Sequence, residues 1–276
     1  MDVNQLRGRW VGVTGAGSGI GEAIARSAAQ RGANLAICDI DPARLTAVRQ
    51  SLQDGATEVI AHEVDVADAA SVNGFADLVH ERVDALDILV NNAGVTLAAS
   101  ALETTEEDWG WLLGIDLMGV IHGCSAFCPA MRDRGRGGHV VNIASMDGLA
   151  GMEGFAAYST AKFAVVGYSE SLRAELTRAD IGVSVICPGP VRSGLVADMP
   201  ERGRFSGAYG DRIRTENKNK GVPPKRVADA AFRSVEKNRA VCPVTPLAWM
   251  VYYLKRAMPS LTARALERVE RDFLQE

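Results

Sequence analysis

Three side chains in the middle of the chain combine an acid–base group, a positive charge and a hydroxyl. Tyr158 and Lys162 are four positions apart, and Ser145 ends an apolar run thirteen residues before the tyrosine. On a helix, a spacing of four puts both side chains on one face, so an ammonium would lie beside a phenol. The same spacing also fits an ordinary helix with a buried tyrosine and a solvated lysine. The rest of the sequence has to decide between this interpretation and a catalytic pair.

The chemistry that these three residues allow is proton transfer to or from a substrate oxygen. The pKa of a free tyrosine is about 10, so a tyrosine base near neutral pH needs its anion stabilised by roughly 3 to 4 kcal/mol. An adjacent positive charge favours the phenolate, and we expect Lys162 to lower the pKa of Tyr158 in this way. Ser145 adds a hydroxyl that can hydrogen-bond the substrate oxygen whose proton Tyr158 takes or gives.

Size and composition indicate an ordinary globular protein. The chain has 276 residues, 47% hydrophobic and 23% charged, which argues against disorder and allows a sizeable core. This length suits one large α/β domain or two small ones. The net charge of -4 gives no general attraction to nucleic acid.

Cysteines, histidines and the N-terminus point away from metal binding and export. The five cysteines are scattered, and the four histidines share no metal-binding spacing. Cys124 and Cys128 could share a helix face, where core packing is their expected role. The N-terminal residues lack a signal-peptide pattern, and no uninterrupted apolar run reaches membrane-spanning length. We therefore expect a cytoplasmic protein without a metal site.

Apolar strands alternate with helical segments along most of the chain. The strands carry apolar residues throughout, which is typical of a parallel sheet covered by helices on both faces. Such a sheet binds ligands beyond the carboxyl ends of its strands, where the strand order reverses. We predict strands over residues 9–14, 33–39, 58–66, 86–91, 139–144 and 182–187, with helices over about 20–31, from 41, 68–83, 105–132 and 155–178.

A glycine-rich turn follows the first strand. Residues 14–21 read Thr-Gly-Ala-Gly-Ser-Gly-Ile-Gly and lead into a helix. Free backbone N–H groups and the helix dipole favour a pyrophosphate there. The spacing departs from the general dinucleotide fingerprint, because Ile20 stands where the final glycine would be. The turn residues predicted to hold the cofactor are Gly15, Ser18, Gly19, Ile20 and Gly21.

Asp39 ends the second strand, eighteen residues after Gly21. The dinucleotide fingerprint has an acidic residue at this place, which hydrogen-bonds the adenosine ribose. A 2′-phosphate would meet a carboxylate there, at a cost on the order of 4 kcal/mol for unit charges ~4 Å apart at an effective dielectric of ~20. Asp41 adds to the negative charge. The sequence therefore predicts NAD rather than NADP, although Asp39 could also be a simple turn residue.

With these residues the chain resembles the short-chain dehydrogenase/reductase family in its compact single-domain form, from Gly8 to about Thr245. Six motifs follow the family's order and spacing. They are Thr14-Gly15-xxx-Gly19-x-Gly21, Asp65-Val66, Asn91-Asn92-Ala93-Gly94, Ser145, Tyr158-xxx-Lys162 and Pro188-Gly189-Pro190-Val191. The resemblance implies a Rossmann-type fold with a seven-stranded parallel sheet, nicotinamide-dependent redox chemistry, and dimers or tetramers.

The resemblance also implies roles for individual residues. Asp65 and Val66 would hold the adenine, and Lys162 would also bond the hydroxyls of the nicotinamide ribose. The segment Asn92, Ala93 and Gly94 would line the adenosine side, and Pro188, Gly189 and Val191 would border the nicotinamide.

One position departs from the family pattern. Asp116 stands where the family commonly has an asparagine that props open a helix kink, whose backbone carbonyl holds a water connecting the lysine to solvent. Our hypothesis is that this water is retained and that the carboxylate keeps Lys162 protonated. The alternative is a damaged relay in a slower enzyme.

Beyond Val191 the strand–helix alternation stops. The irregular stretch of about residues 190–222 is predicted to be a substrate lid. Its basic residues suggest either an anionic substrate or, as we expect, a solvated face. The basic residues in this stretch and just after it are Arg212, Arg214, Lys218, Lys220, Lys225 and Arg226. The side chains expected to contact an apolar substrate are Leu149, Met152, Phe155, Leu195 and Met199, with Trp249 as a further candidate.

The stretch from 246 to 276 is predicted to be a helical extension of the same single domain. Its apolar first part suits three uses: closing the substrate pocket, packing against a sister subunit, or lying on a membrane surface. Leu261 to Glu276 resembles a charged amphipathic helix.

Together these features predict an NAD-dependent oxidoreductase that interconverts a secondary alcohol and its ketone, with an apolar, cyclic, terpenoid or steroid-like substrate. A sensor or scaffold that binds NAD without turnover is the alternative from another class. Sugar-nucleotide epimerisation is a third, but its branch of the family usually has a different glycine spacing and a longer chain.

Overall fold

A computed structural model describes residues 1–52, 58–262 and 264 of the chain. It contains a seven-stranded parallel sheet with the strand order β3-β2-β1-β4-β5-β6-β7. The strands are β1 (Trp10–Thr14), β2 (Asn34–Asp39), β3 (Val59–Glu63), β4 (Ile88–Asn91), β5 (Gly138–Ile143), β6 (Ile181–Cys187) and β7 (Val241–Pro243). The predicted α/β fold with a doubly wound parallel sheet is confirmed.

Helices cover both faces of this sheet. The helices are α1 (Gly19–Ala29), α2 (Pro42–Leu52), α3 (Ala69–His80), α4 (Glu106–Leu113), α5 (Gly119–Arg134), α6 (Ala156–Leu176), α7 (Gly194–Ala197), α8 (Ala208–Lys220), α9 (Pro224–Glu236) and α10 (Pro246–Ala257). The apolar faces of α1, α2 and α9 share one core cluster with the sheet, while α3, α5 and α6 share another. Every residue of β1, β4 and β6 is buried, which explains why these strands are mostly apolar.

The stretch from Glu106 to Arg134 is one continuous helix with a π-helical turn, Gly114–Met118, between α4 and α5. By length and composition it could cross a membrane. Its α5 part instead packs in the core, where Val120, Phe127 and Met131 are buried against the sheet. It is therefore the apolar core helix of a layered α/β domain.

The predicted irregular lid contains more regular structure than expected. Residues 192–221 include α7 and the thirteen-residue α8, together with a short 3-10 turn at Gly203–Phe205. The 3-10 turn places Phe205 in a small apolar cluster with Ala98 and Met199. Helix α8 itself is mostly polar, with only Gly210 buried, so its sequence carried little of the apolar periodicity that marks a packed helix.

The apolar stretch after Thr245 forms α10. Ala248 is fully buried, and Val251 belongs to the core cluster that α6 shares. Trp249 stacks on Tyr253, with ring centroids 5.5 Å apart. The predicted amphipathic helix from Leu261 to Glu276 lies mostly outside the described residues.

Candidate active site

A cavity of about 460 Å³ lies at the carboxyl ends of the strands. It is placed where β1 and β4 are neighbours although β2 and β3 come between them in sequence, which is the point where the strand order reverses. Sequence-predicted residues from distant parts of the chain meet in its lining. They are Gly15, Ser18, Gly19, Ile20, Asp39, Asp65, Val66, Asn92, Ala93, Gly94, Asp116, Ser145, Tyr158, Lys162, Pro188, Gly189, Val191 and Leu195.

The glycine turn between β1 and α1 is packed too tightly for larger residues at two positions. Gly15 has φ +62°, and a Cβ there would lie 2.7 Å from the Cα of Ala93. A Cβ on Gly21 would lie 2.0 Å from the carbonyl oxygen of Gly15. The side-chain amide of Asn92 braces the turn by donating to the carbonyls of Thr14 and Gly15, both at 3.0 Å. Gly21 is buried beneath this turn and packs against its backbone.

The start of α1 fits a dinucleotide pyrophosphate. Ser18 precedes the helix in an extended conformation and makes no side-chain capping bond. The first-turn N–H groups of the helix therefore lack a side-chain acceptor, and Ser18, Gly19 and Ile20 line the cavity. Unpaired N–H groups at a helix N-terminus form an anion site, so the donor set suits a phosphate group.

Asp39 is held in place at the end of β2 by two backbone donors. Its Oδ2 accepts from the N–H of Gly17 at 2.7 Å, and its Oδ1 accepts from the N–H of Asp41 at 3.0 Å. The carboxylate is thereby fixed at the mouth of the cavity. Arg44 also lines this part of the cavity, but it is paired with Asp41 at 3.1 Å.

The segments after β3 and β4 also line the cavity. Asp65 and Val66 follow β3, and the Oδ1 of Asp65 accepts from the N–H of Ala67 at 2.9 Å. Gly94 follows β4 and lies close to the ion pair of Lys162 and Asp116, because a Cβ on it would come within 3.4 Å of both side chains.

Ser145 and the β5 end are joined to α6 by close backbone packing. Ser145 precedes a 3-10 turn, Met146–Gly148, and its Oγ accepts from the N–H of Asp147 at 3.1 Å. A Cβ on Gly148 would lie 2.6 Å from the carbonyl oxygen of Lys162, so this turn lies directly against α6. Tyr158 and Lys162 lie one turn apart at the start of that helix, as their spacing predicted.

Lys162 is paired with Asp116. The Nζ of Lys162 lies 2.8 Å from Oδ2 of Asp116, and both side chains are buried, with exposures of 5% and 0%. The π-helical turn carries Asp116 towards the cavity, where its Oδ1 also accepts from the N–H of Val95 at 2.7 Å. Burial raises the pKa of the Asp116 carboxyl, while the Lys162 charge lowers it. The counter-charge for the lysine is therefore a carboxylate inside the protein.

The pKa of Tyr158 is shifted in the direction opposite to the sequence prediction. Burial raises it well above its ordinary value, and the carboxyls of Asp147 and Asp116 raise it further. A hydrogen bond with Ser145 acts against this shift. The Nζ of Lys162 lies 5.4 Å from the centre of the Tyr158 ring, but the adjacent carboxylate of Asp116 offsets its charge. In this state the phenol is neutral at ordinary pH.

The nicotinamide side is formed by the segment after β6. The carbonyl of Pro188 accepts from the N–H of Met146 at 2.7 Å, which joins this segment to the turn after Ser145. Gly189 packs against Thr245, because a Cβ on it would lie 2.4 Å from Oγ1 of that residue. Val191 pairs with Val222 at the end of the lid.

Of the residues predicted to contact substrate, Leu195 alone lines this cavity. Leu149 is buried in the core cluster beneath β5 and α6. Phe155 packs between two small clusters, one of which contains Met199. The backbone N–H of Met152 lies 3.5 Å from the Ser159 hydroxyl, and Trp249 packs on its own helix. Leu149, Met152, Phe155, Met199 and Trp249 are therefore not brought to the cavity.

Several cavity residues were not identified from the sequence. Trp111 and Thr96 line the substrate end, and Ser193 and Asn217 approach from the lid. Asp147 was also missed; it lies two residues after Ser145, outside the cavity lining, and its pKa is raised to about 7, chiefly by burial. For Ser193 the signal was its position just after the Pro-Gly-Pro-Val motif. For Trp111 and Asn217 no local signal existed, because their distance from the strand ends depends on helix packing.

Comparison with known proteins agrees with this architecture. The short chain dehydrogenase family model matches residues 9–203. Probable oxidoreductase EphD of Mycobacterium tuberculosis is 37% identical over 262 residues, which cover 90% of this chain but 43% of that protein. This chain thus spans less than half the length of EphD. A CLA biosynthesis dehydrogenase/reductase of Lactiplantibacillus plantarum is 33% identical, over 82% of this chain and 84% of its own.

Comparison with a solved structure also supports this architecture. A short-chain dehydrogenase/reductase from Burkholderia phymatum in complex with NAD has a TM-score of 0.84 and 30% identity, covering 93% of this chain and 96% of that one. The seven-stranded sheet, the glycine turn and the serine, tyrosine and lysine around one cavity agree with these matches. The chain belongs to the short-chain dehydrogenase/reductase family, whose members are oxidoreductases that use a nicotinamide cofactor.

Proposed function

We propose that this protein is an NAD-dependent dehydrogenase that interconverts a secondary alcohol and its ketone. The observation that carries the proposal is the convergence of Ser145, Tyr158 and Lys162 on one cavity. The glycine turn and the fixed carboxylate of Asp39 line the same cavity. A dinucleotide held by the turn would extend towards the tyrosine.

The chain's own residues supply alignment and proton transfer. A bound nicotinamide supplies the hydride acceptor for alcohol oxidation, or the hydride donor for ketone reduction. Tyr158 exchanges the proton of the substrate oxygen, and Ser145 orients that oxygen. Lys162, kept charged by Asp116, bonds the ribose hydroxyls on the nicotinamide side. Val66, Asn92 and Gly94 border the adenosine.

Charge at the cavity mouth supports NAD as the cofactor. Asp39 would face the 2′-phosphate of NADP, and Arg44 is already paired with Asp41. The relative from Burkholderia phymatum was solved with NAD. We infer that electrostatic repulsion at Asp39 disfavours NADP.

The substrate end of the cavity supports an apolar or cyclic alcohol. Its lining includes the side chains of Val95, Trp111, Ile115, Leu195 and Val196. Apolar walls with a few polar groups at the reacting end favour substrates that carry one oxygen on a hydrocarbon frame.

We also propose a cytoplasmic homodimer or homotetramer. Three large apolar side chains on neighbouring elements are exposed: Trp111 on α4, Met118 on the π-helical turn and Phe163 on α6. Their exposed fractions are 39% to 40%, which is high for residues of this kind and suits a subunit contact.

The experiment is a screen of secondary alcohols and ketones with NAD(H) and NADP(H), followed at the absorbance of the reduced nicotinamide. Tyr158→Phe should lower kcat by about 10² to 10⁴ and leave the Kd for NAD unchanged, because only the proton-transfer group is removed. Tyr168→Phe is the matched control, since Tyr168 lies on the same helix but does not line the cavity. If the wild-type protein binds NAD but converts none of the compounds, the sensor alternative replaces this proposal.

A further inference from the structure

A second cleft, of about 750 Å³, lies between α1 and the lid. Five residues line both this cleft and the active-site cavity: Gly19, Ser193, Gly194, Val196 and Asn217. A Cβ on Gly19 would lie 3.2 Å from the Cβ of Ser193, so the start of α1 touches the lid there. The shared residues therefore form a wall, with the active-site cavity on one side and the second cleft on the other.

Positive charge predominates in the lining of this cleft. Arg26 comes from α1, Arg192 is the first residue of the lid, and Arg214 and Lys218 come from α8. Among the described residues, Glu22 is the one acid that lines the cleft. The whole chain has a net charge of -4, so this lining is a local concentration of positive charge. A cleft lined by charges of one sign attracts ions of the other.

Ion pairs within the protein use two of these four cations. Arg26 pairs with Glu22 at 2.8 Å, and Arg214 pairs with two carboxylates of the lid at 2.6 and 3.3 Å. Arg192 and Lys218 have no carboxylate partner in the part of the chain that the structure describes. Both are exposed, so a ligand in the cleft can reach them.

The structure divides the basic stretch that the sequence singled out. Lys220 pairs with Glu216, and Lys225 pairs with Asp229, each within its own helix and outside the lining of the cleft. Their side chains are 70% and 72% exposed, as expected for a solvated face. Lys218 differs from both, because it lines the cleft and keeps its charge unpaired among the described residues.

These donors suit a phosphate group better than a carboxylate. The cations come from three separate elements, so they approach the cleft from different directions. At about pH 8 a phosphate monoester carries about two negative charges and offers three terminal oxygens, whereas a carboxylate has one charge and two oxygens in a plane. An arginine can also bind a phosphate through two parallel hydrogen bonds. Ala23, Ala197 and Pro224 add apolar surface to the lining, which fits a hydrocarbon part of the ligand.

We propose that the cleft between α1 and α8 binds a phosphate-bearing small molecule at a site separate from that of the cofactor. Arg192 and Lys218 bind the phosphate, and the apolar residues contact the rest of the ligand. Because Lys218 belongs to the lid and Arg26 to α1, a bound phosphate also links the lid to the body of the protein. Binding requires no turnover, so it can be measured whether or not the protein oxidises alcohols.

The first test is calorimetric titration of the protein with phenyl phosphate at about pH 8, in saturating NAD. The NAD occupies the glycine turn, so a phosphate that still binds must lie elsewhere. We expect one phenyl phosphate per chain, bound more tightly than inorganic phosphate, which lacks the ring, or benzoate, which lacks the second charge. Absence of binding, or binding that disappears when NAD is saturating, overturns the proposal.

Two charge-removing variants test the residues. Arg192→Gln and Lys218→Gln should each weaken the binding of phenyl phosphate by about fivefold or more, because each removes a charge that can pair with the phosphate. Lys220→Gln is the matched control, since Lys220 lies two residues further along the same helix, is paired with Glu216 and does not line the cleft. Equal weakening in the control would indicate general attraction to a basic surface and would overturn the site. Unchanged affinity in both test variants would also overturn it.

Amide hydrogen exchange of the wild-type protein locates the phosphate without any substitution. With NAD present throughout, phenyl phosphate should slow exchange in α8 and in the last two turns of α1, which follow Glu22. Exchange in α2 and α3 should not change, because neither helix lines the cleft. Slowing confined to the glycine turn and α2 would place the phosphate on the adenosine side of the cofactor site, and the proposal would then be wrong.

Discussion

The cavity has two sides that are built in different ways. Its floor, formed by the carboxyl ends of the strands and the start of α6, contains Asp39, Ser145, Tyr158 and Lys162, and Asp147 lies against Ser145 behind it. The ion pair at its centre has side-chain exposures of 5% and 0%. The lid, residues 192–221, is held by a small apolar cluster in which Met199 and Phe205 pack against Ala98, and by ion pairs at its surface. Arg202 pairs with Asp108 of α4 at 3.0 Å, and the arginine side chain is 45% exposed.

We infer from this difference that the floor determines the reaction and the lid determines the access of substrate. Buried charges in the floor have few alternative partners, so each removal changes a pKa or a binding constant by a large factor. Exposed ion pairs of the lid contribute about 0 to 1 kcal/mol each, so the loss of one of them changes the free energy of the closed lid only slightly. We therefore expect floor variants to change kcat, cofactor choice and stability, and lid variants to change KM and mobility. The predictions below test this division.

The largest effect concerns cofactor choice at Asp39. Asp39→Asn removes the charge that would face a 2′-phosphate, so the ratio of kcat/KM for NADP to that for NAD should rise by up to about a thousandfold, the equivalent of ~4 kcal/mol. Steady-state kinetics with both cofactors measure this ratio. Asp133→Asn is the control: it removes a surface carboxylate that is paired with Arg132 and does not line the cavity. A change of equal size in both variants would contradict a specific role for Asp39.

The next effect is on stability and its pH dependence. Asp147 has a pKa of about 7 in the folded protein against 3.8 in the unfolded chain. Between these values the folded state binds the extra proton, so the free energy of unfolding should fall as pH rises from about 4 to 7. Asp147→Asn does not titrate and should escape this fall. Its stability relative to wild type should therefore increase by up to about 3 kcal/mol between pH 4 and pH 8.

Urea unfolding at a series of pH values measures this difference. Asp133→Asn gives the matched control, because that carboxylate is exposed and paired only with its neighbour Arg132. It should leave the pH dependence unchanged. Parallel curves for Asp147→Asn and wild type would mean that the pKa of Asp147 is the same in the folded and unfolded states, which contradicts the effect of burial on this carboxyl.

The sequence predicts well the features whose signals lie within one short segment, and less well those that depend on the packing of several segments. The sheet, the glycine turn and the meeting of Ser145 with Tyr158 and Lys162 follow from apolar strands and from motifs at strand ends. Their positions are fixed by parallel pairing, so sequence order was enough. The predicted strand boundaries lie within three residues of the observed ones. The largest difference is at β3, which ends at Glu63, three residues before its predicted end.

Some predictions differ from the structure where several elements act together. The pKa of Tyr158 depends on its burial and on the charge that balances Lys162. The family resemblance implied a helix kink at Asp116, but only the structure shows that the π-helical turn brings its Oδ2 within 2.8 Å of Lys162 Nζ. Leu149 and Met199 were sensible substrate contacts by type and place, yet each is used to fill a core cluster. A shift of a few ångströms decides whether an apolar residue near a site packs in the core or lines the cavity. A sequence pattern does not contain distances of this size.

The smallest effect tests the lid. Arg202→Gln removes the ion pair with Asp108 and should shift the lid towards an open state, by a small amount because the arginine side chain is 45% exposed to solvent. We expect amide hydrogen exchange in residues 192–221 to become two- to fivefold faster and KM for an apolar alcohol to rise by a similar factor, with kcat unchanged. Lys220→Gln is the control, because Lys220 pairs at 3.1 Å with Glu216 of the same helix and does not tie the lid to the body. A fall in kcat with unchanged exchange would mean that Arg202 acts on the chemistry, and the division between floor and lid would not hold.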